Sequence, residues 1–192
     1  LDDAIINVNT DPIFGNFDGA DSSLSGSGVA TDFDSIWAGG GCAAAWIYPK
    51  SRGESNASKI MGKYSWELGC NDQTGTNISL QFVHYWADSN GSWNSPVTIP
   101  LNAWTHVAIV YDSDATGNNP TLYLNGVATA MSEDSSPAGA LTSDASSDLI
   151  VGNRATSGGG ITSTKTFDGY IMDVKIYKNV AVTATNVAKM AS

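Results

Sequence analysis

Alternation constrains this chain more than any other feature. Segments with period-2 apolar patterning recur every ten to fifteen residues, separated by clusters of Gly, Asn, Asp and Ser. A period of two is the strand period, because successive side chains leave a pleated backbone on opposite faces. Cys42 to Tyr48 (CAAAWIY) runs to Pro49, and Lys59 to Lys63 and Tyr64 to Cys70 follow with a break near Gly62. Ile78 to Trp86 alternates Ile78, Leu80, Phe82, His84 and Trp86 with Ser79, Gln81, Val83 and Tyr85, and Asp88 to Asn94 then turns the chain. Trp104 to Tyr111 is apolar almost throughout, as a strand covered on both faces would be. Thr121 to Leu124 resumes the pattern, with Asn125-Gly126 as a type I′ hairpin signal. Leu149 to Gly152 and Tyr170 to Tyr177 complete the strands, Ser157 to Thr166 is a loop, and a short helix runs from about Thr183 to Met190. About a dozen short strands must hide their edges, and a double-sheet jelly roll does so economically. The expected fold is therefore all-β, a jelly-roll sandwich of two antiparallel sheets.

Composition agrees and narrows the partners. The acidic side chains are sixteen Asp and only three Glu, against seven Lys and two Arg, so the material of surface helices is scarce and turn formers abound. With 192 residues and no linker or composition break, residues 1–192 read as one domain that can bury roughly 70% of its unfolded surface without a staple. The net charge of -10 makes nucleic acid and anionic membrane poor partners, and no apolar run approaches the length of a membrane span. A start at Leu1 points to a processed protein or a piece of a longer parent. Cys42 and Cys70 lack metal-site or redox spacing, which leaves one disulfide or two buried thiols. Three Asn-x-Ser matches, at Asn56, Asn77 and Asn90, are expected by chance in a chain so rich in Asn and Ser.

Five motifs occur in order: Phe17-Asp18-Gly19; Ala45-Trp46-Ile47-Tyr48-Pro49; Ile99 to Ala108 (IPLNAWTHVA); Leu122 to Val127 (LYLNGV); and Phe167 to Ile171 (FDGYI) followed by Val174 to Tyr177 (VKIY). Together, over about residues 14 to 190, they resemble the laminin-G-like branch of the concanavalin A-like lectin and glucanase superfamily. The resemblance implies two curved antiparallel sheets whose rim loops bind glycans, proteins or calcium, and it does not fix one activity. The family usually carries an acidic residue where this chain has Met172, and its loops after Pro49 and Val151 vary in length.

The inventory argues against catalysis. Catalytic relatives cleave β-glucans with carboxylates on alternate residues of one strand, since retaining hydrolysis needs two carboxyls about 5 Å apart. Glu54, Glu67 and Glu133 are scattered, and none has a carboxylate two residues away on one strand face. No Arg, His and Tyr cluster of the alginate-lyase kind is present. His84 and His106 are the only imidazoles and no G-x-S-x-G occurs; His106 reads as structural, while His84 either bonds its neighbours or reaches a sugar from the concave side. The Gly39-Gly40-Gly41 run leads into a strand rather than a helix, so it holds no phosphate.

Calcium is a candidate structural cofactor. In the resembled fold the terminal strands run side by side, which would bring Asp18 and Asp168 of the two Phe-Asp-Gly copies to one ion; alternatively each Asp caps a turn through backbone amides. Asp112, Asp114 and Thr116 open like an EF-hand loop, but its twelfth position is Tyr123, and a solvated loop is the better reading.

Sugar binding needs an aromatic face for C–H groups, flanked by side chains that bond hydroxyls. Residues 85–94 offer both: Tyr85, Trp86, Asp88, Asn90 and Trp93, with Trp93 foremost because it falls in a polar turn. Trp46, Trp66 and Trp104 lie within strands and read as core, whereas Arg154, in a rim loop, is one of two guanidiniums available to an acidic sugar or a partner's carboxylate. The function expected is a non-catalytic recognition module, binding carbohydrate through rim loops, in a secreted, cell-surface or virion-associated protein. Its alternatives are a structural or adhesion domain making protein contacts, marked by an interface over Trp93 and the 85–94 turn, and a diverged glycoside hydrolase.

Overall fold

The computed structural model describes residues 6–7, 15–26 and 30–192; the start of the resemblance, before residue 15, lies outside them. The strands are β1 (Ile6–Asn7), β2 (Gly15–Asp18), β3 (Leu24–Ser25), β4 (Gly41–Pro49), β5 (Lys59–Lys63), β6 (Trp66–Thr74), β7 (Asn77–His84) and β8 (Gly91–Asn94). They continue with β9 (Ile99–Pro100), β10 (Thr105–Tyr111), β11 (Thr121–Leu124), β12 (Val127–Thr129), β13 (Ser132–Ser135), β14 (Ile150–Val151) and β15 (Asp168–Lys178), before helix α1 (Ala184–Met190). The first sheet, of seven strands, has the order β1-β15-β4-β10-β11-β12, with β2 beside β15. The second, of eight, has the order β13-β8-β7-β6-β5-β14-β3, with β9 beside β7. Every pairing is antiparallel.

The core lies between the sheets and follows the alternation. Ala43, Ala45 and Ile47 of β4, Val107 and Ile109 of β10, and Ile171 and Ile176 of β15 meet Leu68 and Cys70 of β6 and Ile78, Leu80 and Phe82 of β7. Trp37 packs edge-on against Trp66 and Phe82, with ring centroids 5.1 and 5.2 Å apart, a geometry favoured by the ring quadrupoles. A second, smaller core explains why β4 and β10 are apolar on both faces. Cys42, Ala44, Ala108, Tyr123 and Tyr177 face outward beneath Val187 and Met190 of α1. Thr183 caps that helix in a capping box with Asn186.

Two local devices shape the sheets, a bulge in the second and a tight turn between β11 and β12 in the first. A bulge between Lys59 and Met61 puts both Ile60 and Met61 in the core and leaves Lys59 on the opposite side. The Asn125-Gly126 turn has φ values of 49° and 80°, both positive as type I′ requires, and Asn125 Oδ1 accepts the His106 amide at 2.9 Å. The expected turn over 88–94 is shorter: Gly91–Asn94 is strand β8, paired with β7 and β13.

Cys42 and Cys70 are free thiols in different cores on the two sides of the first sheet, so they do not pair. Burial pushes Cys42 up to about 12 and Cys70 to about 11. Without reductant, both are expected to react with a thiol reagent at pH 8 only in denaturant; silence after unfolding would reveal a disulfide.

Candidate functional site

A pocket of about 390 Å³ opens on the outer face of the second sheet, lined by Tyr64, Tyr85, Asn90, Thr142, Arg154 and Thr162 among others. β7 places it: Phe82 and His84 point inward, so Val83 and, beyond the strand end, Tyr85 point outward. The far wall is a small hairpin in which Ala155 bridges Ile161 and the Thr156 amide reaches the Gly160 carbonyl at 2.9 Å. Gly158 and Gly159, at φ 84° and 85°, make its tip. Its base is pinned by fully buried Asn153, whose Nδ2 donates to Thr166 Oγ1 at 2.9 Å.

Beneath the pocket lies an ion cluster. Glu67 receives Lys59 Nζ on Oε1 at 2.8 Å and Arg154 Nε on Oε2 at 2.9 Å. Arg154 Nη2 donates to the Tyr85 hydroxyl at 2.6 Å. Lys59 and Glu67 side chains are 6% and 9% exposed, Arg154 38%. Burial first, and the Glu67 charge second, push the Tyr85 hydroxyl up to about 12, so it stays protonated. Further along the same face Asn94 Oδ1 accepts from both Asn71 and Gln81 at 3.1 Å, and Arg52 Nη1 donates to the Asn71 carbonyl at 2.6 Å.

Of the six residues expected to bind ligand, the pocket gathers Tyr85, Asn90 and Arg154. Trp93 is placed differently from the sequence expectation. It is a strand residue 1% exposed, stacked 5.9 Å from Phe82, with Nε1 donating to Asn119 Oδ1 at 2.6 Å. In β8 the inward positions are Gly91 and Trp93, and a Cβ at Gly91 would fall 2.3 Å from Trp93 Cη2, so the glycine makes room for the ring. Trp86 is also buried, 5.9 Å from the His84 ring, and its amide donates to Asn90 Oδ1 at 3.2 Å. Asp88 is exposed on the turn, outside the pocket lining. Tyr64, 43% exposed, is the aromatic lining residue the sequence did not suggest, because it opens a strand-like segment and no periodicity marks it as outward.

Neither histidine faces the pocket: His84 lies inward, and His106 lies against Trp46 on the first sheet's outer face, with ring centroids 5.4 Å apart. Both are buried, and desolvation lowers each to about 4, which keeps them neutral; His84 faces the Tyr111 ring rather than the outer surface. Trp66 is in the core as expected, whereas Trp46 and Trp104 are half-buried on the first sheet's outer face where α1 does not reach. There Tyr48 lies 5.6 Å from Trp104 and 5.7 Å from Tyr170, with Lys50 Nζ 4.5 Å over Tyr170.

Asp18 and Asp168 are direct cross-strand partners. Asp18 Oδ1, however, accepts the amides of Ala20, Asp21 and Ser22 at 3.0, 3.3 and 3.4 Å, and these bonds, with that of Ala20 foremost, hold its carboxyl down to about 2. Asp168 Oδ2 accepts from Ser51 at 2.7 Å. Among the described residues no three His, Cys, Asp or Glu side chains gather as metal ligands, and the pair fits turn capping better than an ion.

Two antiparallel sheets packed over one core make the chain an all-β sandwich. The family model of the laminin-G-like branch, described as the concanavalin A-like lectin/glucanases superfamily, matches residues 21–188, and the chain belongs to that family. Solved structures agree on the fold. A heptameric SAP-like pentraxin from Limulus polyphemus matches with TM-score 0.61 and 18% identity, covering 81% of this chain and 70% of that one. A CBM40 of a Ruminococcus gnavus sialidase, solved with α2,3 sialyllactose, gives 0.51 and 14%, covering 94% and 98%. NanB sialidase from Streptococcus pneumoniae gives 0.63 and 12%, covering 92% of this chain but only 27% of that enzyme. No curated protein matches by sequence. Among the described residues no helix is long and apolar enough to cross a membrane.

Proposed function

We propose that residues 1–192 act as one non-catalytic carbohydrate-binding module of a secreted, surface-exposed or virion-associated protein, with its site in the pocket between Tyr64, Tyr85, Asn90 and Arg154. The observation that carries this reading is the pocket itself: two tyrosines for C–H faces beside an amide and a guanidinium that bond hydroxyls directionally. The sialyllactose complex of the similarly folded CBM40 supports a glycan as the ligand class. Non-catalytic action is supported by the lining, which among the described residues carries no acidic side chain, and by Glu67, whose two oxygens are already held by Lys59 and Arg154. A glycan-array screen followed by titration tests the reading. Tyr64→Ala is expected to weaken the best ligand about tenfold, on the order of 1.4 kcal/mol, with little change in melting temperature. Unchanged affinity in a folded variant would remove the pocket from the site.

The half-buried aromatic strip at Tyr48, Trp104 and Tyr170 favours the second reading, a domain that contacts protein in a larger assembly. Tyr170→Ala that leaves glycan binding intact but lowers the assembly state would select it. For calcium, turn capping at Asp18 predicts that excess EGTA leaves the melting temperature unchanged. A fall abolished by Asp168→Ala would place a structural ion at the pair.

A further inference from the structure

The ion cluster beneath the pocket does not balance. Lys59 and Arg154 share the single carboxylate of Glu67, so the three groups carry a net +1 inside a protein of net charge -10. Lys59 and Glu67 are nine-tenths buried and compensate each other at 2.8 Å, which leaves the excess charge on the partly exposed Arg154. Among the described residues no other acid forms an ion pair with the cluster: Glu54 Oε2 accepts the Thr166 amide at 3.1 Å, Asp134 Oδ2 accepts from Ser92 at 3.2 Å, and Asp148 Oδ2, near the hairpin tip, accepts from Ser25 at 3.1 Å.

The excess charge is directed at the cavity. A guanidinium has five N–H donors in a fixed fork. Arg154 spends Nε on Glu67 and one Nη2 hydrogen on Tyr85, which locks the plane of the fork and leaves the other hydrogens for the pocket it lines. Because Lys59 also neutralises Glu67, the Glu67 carboxylate does not cancel the charge Arg154 presents. The lining is mostly hydroxyl-bearing, and Tyr64 gives it one exposed aromatic face. Of the five large apolar side chains exposed among the described residues, Tyr64 lines the pocket, and Leu141 and Ile161 adjoin its lining residues Thr142 and Thr162.

Resting on the glycan reading of this pocket, we infer that its ligand is an acidic sugar, a pyranose whose carboxylate pairs with Arg154 while its C–H face lies on Tyr64. A planar carboxylate matches the free edge of the fork bidentately, as a hydroxymethyl group cannot.

Matched probes test this by titration: 3′-sialyllactose against lactose, and methyl β-glucuronide against methyl β-glucoside. At least one acidic member is expected to bind ten-fold or more tighter than its neutral counterpart. Arg154→Lys, which keeps the charge and loses the fork, is expected to reduce that preference to a few-fold, and Arg154→Met to abolish it, with melting temperatures recorded to show that each variant is folded. Equal binding of acidic and neutral members overturns the inference and leaves the glycan reading standing, whereas no binding of any array glycan overturns both. An acidic preference that survives Arg154→Met in a folded protein, or a sulfated sugar that binds where both carboxylated ones fail, also overturns the assignment.

Discussion

Trp93→Ala is expected to cost roughly 3–5 kcal/mol of folding stability, the range for removing a large aromatic from a packed core. The ring touches Phe82 and Tyr111 at centroid distances of 5.9 and 5.4 Å, and its removal also loses the bond from Nε1 to Asn119 Oδ1. Since whole domains hold only about 5–15 kcal/mol, the variant should melt far below the parent or fail to fold at physiological temperature. Trp93→Phe, which keeps much of the packing and loses the indole N–H, should fall between the two. Chemical denaturation followed by circular dichroism measures this; a loss under about 1 kcal/mol would return Trp93 to the surface and to the ligand.

Glu67→Ala should destabilise by a similar amount, about 3–5 kcal/mol, for an electrostatic reason. It leaves Lys59 buried beside Arg154 with no carboxylate between them, and Lys59, unlike Arg154, has almost no access to water. Replacing both buried partners, as in Lys59→Met with Glu67→Leu, is expected to recover most of the loss, because the penalty belongs to the orphaned charge rather than to the absence of the pair. If the double variant is as unstable as Glu67→Ala, packing and not charge explains the effect.

These two residues show what the sequence could tell. Period 2 located most long strands because an inward-outward rhythm survives any tertiary arrangement, and the Asn-Gly turn and Thr183 cap are local chemistry. Trp93 reads as a turn residue because Gly91-Ser92-Trp93-Asn94 spans only four residues, too few to display a period amid turn formers; the alternation becomes visible only when it is laid against Gln81 to His84. Trp46 and Trp104 read as core because an apolar strand does not say which of its faces a helix will cover, and α1 covers only part of that sheet. Tyr85, Asn90 and Arg154 were legible as candidates from residue type alone. Their meeting with Lys59 and Glu67 was not, since it depends on a bulge at Lys59 and on a loop 69 residues further along the chain from Tyr85.

The hairpin carrying Ala155 to Ile161 stands on Asn153 and Thr166 yet sends no side chain into the main core cluster. Its tip can therefore lengthen, shorten or change composition while the sandwich beneath keeps its fold. If the pocket holds a glycan as proposed, selection acting there can exchange one saccharide preference for another at little thermodynamic risk, with Arg154 at its root as the fixed anchor and the glycine tip as the variable part.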